Sequence, residues 1–295
     1  MRITDNMRLA TVLLDQSRAS QSVYTLSEES ASGNLISAPS DDPAGYATLV
    51  SMDSRLSIMQ GRSTAASTAS NNLDAASSAL SSAGDLLSQA KQLALEAATG
   101  TDSAADRTNA GVQVSALVTQ MISLGNTQGT DGYLFGGTST GTPPFNAAGV
   151  YGGNNGVTQV EVADGVLTNS NVSGADAFTS SAGGNNVIAD LQSLAASLST
   201  NNVVGITSSI ATMDTDSAQV SAVMVQAGAH SSSLQASTQL ISNLTTSTET
   251  ARSSLDSAAT AQVYTELQTT QTAYQTSLSV TQQILSLQSF ASSVA

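Results

Sequence analysis

The sequence predicts a mainly α fold, an elongated antiparallel helical bundle or coiled coil with a small β-rich insert domain, and three patterns lead there. Met52, Met59, Ala66, Leu73, Leu80, Leu87 and Ala94 recur at every seventh position. Ala69, Ala76, Ala83, Ala90 and Ala97 follow three residues after members of that row, which makes the two-row stripe a helix turns toward a partner. A second seven-residue row, Val220, Ala227, Leu234, Ile241, Thr248 and Leu255, stands in the C-terminal half. Between the two, residues 125–184 hold 14 of the 22 glycines together with Pro143 and Pro144, a composition that long helices do not tolerate. At 1.5 Å per residue the first stripe runs to about 70 Å, longer than a compact domain of this mass needs. A rod is the expected shape.

The elements follow in order. Ile3, Met7, Ala10 and Leu14 lie on one face of a first helix, and the seam weakens in the serine-rich stretch from Gln16 to Ser30, where Val23, Tyr24 and Leu26 could continue it. Gly33 interrupts that helix. Ala38-Pro39-Ser40-Asp41-Asp42-Pro43 then reads as a turn, with Asp42 as the N-cap and Pro43 in the first helical position. The long helix starts there and runs to about Gly100. A third helix begins near Ser103, capped by Asp102 or Ser103, and carries Ala110, Val114, Leu117, Met121 and Leu124 at alternating spacings of three and four. It stops near Gly125.

The glycine-rich module that follows is expected to be non-helical, with a β-hairpin in which Val160 and Val162 alternate with polar residues, Asp164-Gly165 turns the chain and Val166-Leu167 opens the returning strand. Helical spacing resumes with Val187, Leu191, Leu194 and Leu198, then Ile206, Ile210 and Met213, and one long helix can hold these and the second heptad row. After Leu255 the large apolar residues return out of step as Val263, Leu267, Tyr274, Leu278 and Leu285, a register slip. The expected organisation is an N-terminal helical assembly segment 1–42, rod helices 43–127, a β-rich outer insert 128–184, rod helices 185–255 and a C-terminal helical assembly segment 256–295. Tyr133, Phe135, Phe145 and Tyr151 are expected to anchor the insert to the rod.

Composition narrows the function. Only 3% of the 295 residues are aromatic and none is Trp, so small side chains must bury a narrow stripe rather than a thick core. Eight basic residues against 22 acidic ones leave a net charge of −14, with no Lys or Arg between Arg107 and Arg252. Nucleic-acid binding, which needs clustered cations, is disfavoured. There is no cysteine for thiol chemistry or thiolate metal sites. The first residues lack the apolar core of a cleavable signal peptide, and no run of about 18 apolar residues occurs, so membrane insertion is not expected.

Four segments carry a family resemblance. Met1-Arg2-Ile3-Thr4 with Met7 opens the chain; Ser32-Gly33, Ile36 and Pro39-Ser40-Asp41-Asp42-Pro43-Ala44 form the turn; Asp131-Gly132-Tyr133-Leu134-Phe135-Gly136-Gly137-Thr138 with Pro143-Pro144-Phe145 enters the insert; and Gln271, Tyr274, Gln275 and Leu285-Ser286-Leu287 lie in the closing helix. In this order they resemble bacterial flagellin-type axial proteins, most closely the hook-associated protein 3 family of hook-filament junction proteins. The resemblance implies terminal helices in an inner coiled-coil tube, middle helices in a rod outside it and the insert facing solvent. It also implies export through the flagellar type III channel without a cleavable signal peptide, an export chaperone held at the C-terminal helix, and an extracellular place in the flagellum. Neighbouring hook-associated or flagellin subunits, and further copies of the chain, would be its partners.

The terminal stripes fit that expectation. A lone terminal helix exposing Ile3, Met7 and Leu14, or Val263, Leu267, Tyr274, Leu278 and Leu285, buries little and has few charge pairs, so it should be marginal until neighbours cover it. These eight residues are the candidate assembly interface. Chemical motifs are weaker. Gly137-Thr138-Ser139-Thr140-Gly141 fits a nucleophile elbow, but Pro143-Pro144 stands where the helix should begin and the single histidine, His230, lies far along a heptad helix. Ser88-Gln89-Ala90-Lys91 falls inside the long helix. Asp41-Asp42 reads as capping rather than acid/base chemistry, and Asp214 and Asp216 as solvent-facing acids. No catalytic, cofactor or metal residues are assigned. The sequence thus points to a non-enzymatic flagellar subunit joining hook to filament, with a short filament flagellin as the alternative and a secreted coiled-coil adhesin or hydrolase behind both.

Overall fold

The structure is a computed structural model that describes residues 2–99, 102–179, 184–257 and 260–293. The side chains of residues 2–6, 8, 9, 260, 285 and 287–293 fall outside the description. The order is α1 (Arg2–Ser32), α2 (Pro43–Ala97), α3 (Ala104–Gly125), β1 (Gln128–Gly129), β2 (Gly132–Tyr133), β3 (Gln159–Ala163), β4 (Val166–Asn169), α4 (Gly174–Phe178), α5 (Val187–Ser199), α6 (Val203–Asp256) and α7 (Thr260–Ser293). The fold is mainly α with a small β-rich insert, as the heptad rows and the glycine-rich interruption predict. No described helix is long and apolar enough to cross a membrane.

The chain forms two compact units, residues 58–245 and residues 1–57 with 246–295. In the larger unit the predicted stripe is the core: Ala66, Ala69, Leu73, Ala76, Leu80, Ala83, Leu87, Ala90, Ala94 and Ala97 of α2 are all buried, together with Ile206, Met213, Val220, Ala227 and Leu234 of α6. Burying a leucine stabilises by about 1.5–3 kcal/mol and an alanine by far less, so this seam gains more from length than from bulk. A buried polar layer crosses it, where the Ser70 and Ser231 hydroxyls meet at 3.1 Å and Ser231 donates to Asp74.

α3 begins where the sequence places it. Ser103 accepts from the Asp106 N–H while Asp106 accepts from the Ser103 N–H, a reciprocal cap that satisfies two donors at the helix start. Its buried Val114, Leu117, Val118 and Met121 share one core with Leu191, Leu194 and Leu198 of α5. Gly111 permits this approach, because a Cβ there would lie 2.8 Å from Ser199 Oγ and 3.1 Å from the Ala195 carbonyl.

The region expected as one long helix is two. α5 ends at Ser199, Asn201 takes φ 56°, and the Asn202 side chain accepts from the Gly205 N–H to start α6. Local asparagine chemistry outweighs the helical spacing on either side. The insert likewise departs from a purely non-helical module by holding α4, capped by Ser173. Its hairpin is the expected one: β3 and β4 pair antiparallel through Val160 and Thr168 and through Glu161 and Leu167, with a bulge before the Asp164-Gly165 turn. Arg62 of α2 fastens that hairpin, reaching Glu161 at 2.8 Å and Asp164 at 2.7 Å.

In the smaller unit α1 and α7 pack against one another. A β-bridge between Asn34 and Ser257 joins their adjoining ends, so the chain enters along α1 and leaves antiparallel along α7. The register slip after Leu255 coincides with the end of α6 at Asp256.

Candidate assembly surface

The pairing of α1 with α7 uses a row the sequence only hinted at. Val12, Gln16, Ala19, Val23, Leu26 and Ser30 are half-buried at spacings of three and four, the signature of a helix–helix seam. On α7 the corresponding row is Val263, Leu267, Thr270, Tyr274, Ser277, Thr281 and Ile284, with Val263 and Thr281 buried. Three of the expected interface residues, Val263, Leu267 and Tyr274, therefore face this intrachain seam, and Leu278 is half-buried beside it.

Met7 and Leu14 behave differently. They are 66% and 53% exposed, and the same row continued along α1 reaches Tyr24, also 66% exposed. Positions 7, 14 and 24 follow the a/d spacing on the side of the helix opposite Val12, Ala19 and Leu26. α1 thus carries two apolar rows, one spent on α7 and one open to solvent. Ile3 and Leu285 stand in α1 and α7, but their side chains lie outside the described residues. Tyr264 and Val280 of α7 are exposed as well, and the sequence reading missed both because neither falls in the row of large apolar residues it followed.

The Pro39–Pro43 turn is built from its two acids. Asp41 accepts from the Ser37 and Ala38 N–H groups at 3.0 and 2.8 Å, and these backbone bonds, with help from Ser40, hold its carboxyl below the usual aspartate range. Asp42 accepts from the Ala44 N–H at 3.0 Å, which makes it the N-cap ahead of Pro43. Gly45 leaves room for the packing of Ile36, since a Cβ there would come within 2.6 Å of the Ile36 Cδ1.

A second acid, far away in sequence, ties this turn down. Asp256 is buried, its Oδ1 accepts from the Ile36 N–H at 3.1 Å and its carbonyl accepts from the Leu35 N–H at 2.7 Å. Arg252, one helical turn earlier, donates to Asp53 of α2 at 2.6 Å and lies 3.9 Å from Asp256 Oδ2. Sequence reasoning missed this clamp, although Arg252 is the sole cation of the last 188 residues and invited the question. Asp256→Ala should leave the buried Ile36 N–H without an acceptor and cost about 1–3 kcal/mol. Thermal unfolding should report that loss, and amide exchange should place it at residues 33–38; unchanged protection there would rule the clamp out.

The insert holds an aromatic cluster. Phe135 and Phe145 are buried and pack edge-on against Phe178 with ring centres 5.4 and 5.6 Å apart, while Tyr151 lies 5.1 Å from Phe145. The Tyr151 hydroxyl donates to the Phe135 carbonyl, and the Asn126 side chain brackets the Phe145 backbone with two 2.9 Å bonds. Of the expected anchors, Tyr133 alone stands apart, lining a groove of about 490 Å³ between α2 and the insert with Asn72 and Asn171. Phe178, the ring at the centre, was not singled out by the sequence.

The chemical motifs resolve as packing. At Gly137 a Cβ would meet the Asn154 carbonyl, so backbone contact accounts for the first glycine of the G-x-S-x-G match, whereas Gly141 stands in open space. His230 lies within α6, and among the described residues no group of three His, Cys, Asp or Glu could hold a metal. One expectation is corrected. Asp214 is exposed and paired with Lys91, but Asp216 is completely buried; it occupies the core position three residues after Met213, where helical geometry turns it inward.

Residues 3–140 match the bacterial flagellin N-terminal helical region. Among curated proteins no match is found. Among solved structures, the chain is similar to a protein from Vibrio parahaemolyticus assigned as flagellar hook-associated, at 22% identity and TM-score 0.67 over 74% of this chain and 100% of that one. It is also similar to flagellar hook-associated protein 3 from Legionella pneumophila, at 14% identity and TM-score 0.61 over 69% and 98%. FlgL from Bacillus cereus follows at 19% identity and TM-score 0.56 over 72% and 100%. The fold is that of these flagellar hook-associated proteins.

Proposed function

We propose that this chain, with a flagellin-type N-terminal region on a hook-associated fold, is a non-enzymatic subunit that joins the flagellar hook to the filament by polymerising through its terminal helices. The observation that carries the proposal is the open row on α1. Met7, Leu14 and Tyr24 face solvent at regular helical spacing on a helix whose other side is already paired, and such a row gains its stabilisation only when another subunit covers it. Segments 1–42 and 256–295 then act as the inner assembly parts, 43–127 and 185–255 as rod helices and 128–184 as an outer insert. The partners are further copies of the chain and neighbouring hook-associated or flagellin subunits. An export chaperone at the C-terminal helix and extracellular delivery without a cleaved signal belong to the same reading.

A deletion strain tests it directly. Hooks should be retained while filament protein is shed into the medium, and labelled protein should map by electron microscopy to the boundary between hook and filament. Long filaments growing from the purified protein alone would instead identify a short filament flagellin.

A further inference from the structure

The core of the larger unit contains a carboxylate that nothing in the assembly reading uses. Asp216 has no exposed surface, and neither of its oxygens has a hydrogen-bond partner among the described residues. One helical turn further along α6, Gln219 ties down the chain on both sides of residues 180–183. Its amide donates to the carbonyls of Ala177, Thr179 and Asn185 at 3.1–3.3 Å, and its oxygen accepts from the Asn185 N–H at 2.8 Å. Gly184 permits the approach, because a Cβ there would lie 2.1 Å from the Gln219 oxygen. This knot fixes the exit of the insert and the start of α5 to α6.

We propose that Asp216 is a proton-operated latch: neutral, it lets the Gln219 knot close over a dry core, and ionised, it draws water in and loosens the attachment of α5 and the insert's exit to α6. Burying a charge with no well-formed hydrogen bond is strongly unfavourable, and the nearby Asn185 amide only partly offsets that cost, so the group must either hold a proton or open its surroundings. The neighbouring charges do not rescue it. Of the charged groups on the elements that meet α6 here, Lys91 of α2 is engaged by Asp214, Asp176 of α4 is itself an acid, and Asp190 of α5 bears on Asp216 with like charge. Burial pushes the carboxyl up to about 6, the Asn185 amide opposes the rise and Asp190 adds to it.

The sign follows from linkage. An aspartate raised from 3.8 to about 6 on folding takes up a proton as the latch closes, so closure is favoured at low pH and weakens as pH rises through 6. A shift of that size corresponds to a change on the order of 100-fold in the ratio of closed to open forms.

Amide exchange on the full chain between pH 4.5 and 7.5, corrected for intrinsic rates, tests the latch. Protection of α5 and of residues 203–225 should fall about 30-fold across that range and level off just above pH 6. Asp216→Asn should flatten the profile, and Asp216→Leu provides a second neutral variant should the asparagine itself disturb the core. Asp190→Asn should keep the step but move it to lower pH, a displacement that a purely structural aspartate would not produce. A step that survives in both Asp216 variants, or a flat profile in the native chain, overturns the proposal.

Discussion

Replacing Met7, Leu14 and Tyr24 together by serine should leave a folded monomer that no longer assembles. These side chains are 66%, 53% and 66% exposed, so the isolated chain loses almost nothing with them, and surface changes of this kind stay within about 0.5 kcal/mol. In the assembled state the account reverses. Each large apolar side chain covered by a neighbour contributes about 1.5–3 kcal/mol, so three of them amount to at least about 4 kcal/mol per subunit, or roughly a thousandfold in the concentration needed to associate. The variant should show a native thermal transition and native far-UV circular dichroism while failing to complement a deletion strain. The matched control replaces Val12, Ala19 and Leu26, which face α7. That triple variant should lower the stability of the α1–α7 pair itself, so a monomer stable in both cases would mean the two rows have been wrongly assigned.

This division of α1 shows what the sequence discloses and what it hides. The heptads of α2 and α6 are legible because their apolar positions carry Leu, Met and Val against a background of Ser, Thr and Asn, and every member from Ala66 to Ala97 is buried. The Asp42-Pro43 helix start and the Asp164-Gly165 hairpin are legible because each rests on local backbone chemistry. The α1–α7 seam is not, since it includes Gln16, Thr270 and Thr281, polar residues that a hydrophobic count discards. Asp216 was misjudged for the complementary reason: an acid in a polar-rich helix reads as solvated unless its register against Met213 and Val220 is followed. Phe178 and Asp256 act across more than 30 and 200 residues of sequence respectively, to Phe145 and Ile36, and no local pattern marks such partners.

The scarcity of cations held more information than the acidic excess did. Of only eight basic residues, four join distant parts of the chain within one unit or the other: Arg62 to the insert hairpin, Lys91 to Asp214, Arg252 to Asp53 and Arg107 to Asn201. In a chain whose core is rich in alanine, directional bonds of this kind fix which segments meet where apolar packing discriminates poorly.

Arg107 is the member of that set whose loss should be most damaging. It is buried, yet among the described residues none of its bonds goes to a carboxylate. Its Nε donates to the Ala97 carbonyl at 2.7 Å, one terminal nitrogen to the Thr99 carbonyl at 3.0 Å and the other to Asn201 Oδ1 at 2.8 Å. The first two acceptors close the C-terminal end of α2, where unpaired carbonyls and the helix dipole favour a cation. The third holds Asn201 in its left-handed conformation, φ 56°, at the corner where α5 turns into α6. One guanidinium fork thus fixes the end of one long helix, the start of another and the strained residue between α5 and α6. Arg107→Ala removes three charge-assisted bonds and leaves the buried Ala97 carbonyl without this donor, for an expected cost of about 3–5 kcal/mol. For a unit of this size that is a fall of roughly 10 °C in the thermal midpoint. Arg107→Lys keeps the charge but cannot reach three acceptors in one plane, so it should recover less than half of the loss. A lysine variant as stable as the native chain would show that charge at the helix end, and not the fork, is what the corner requires.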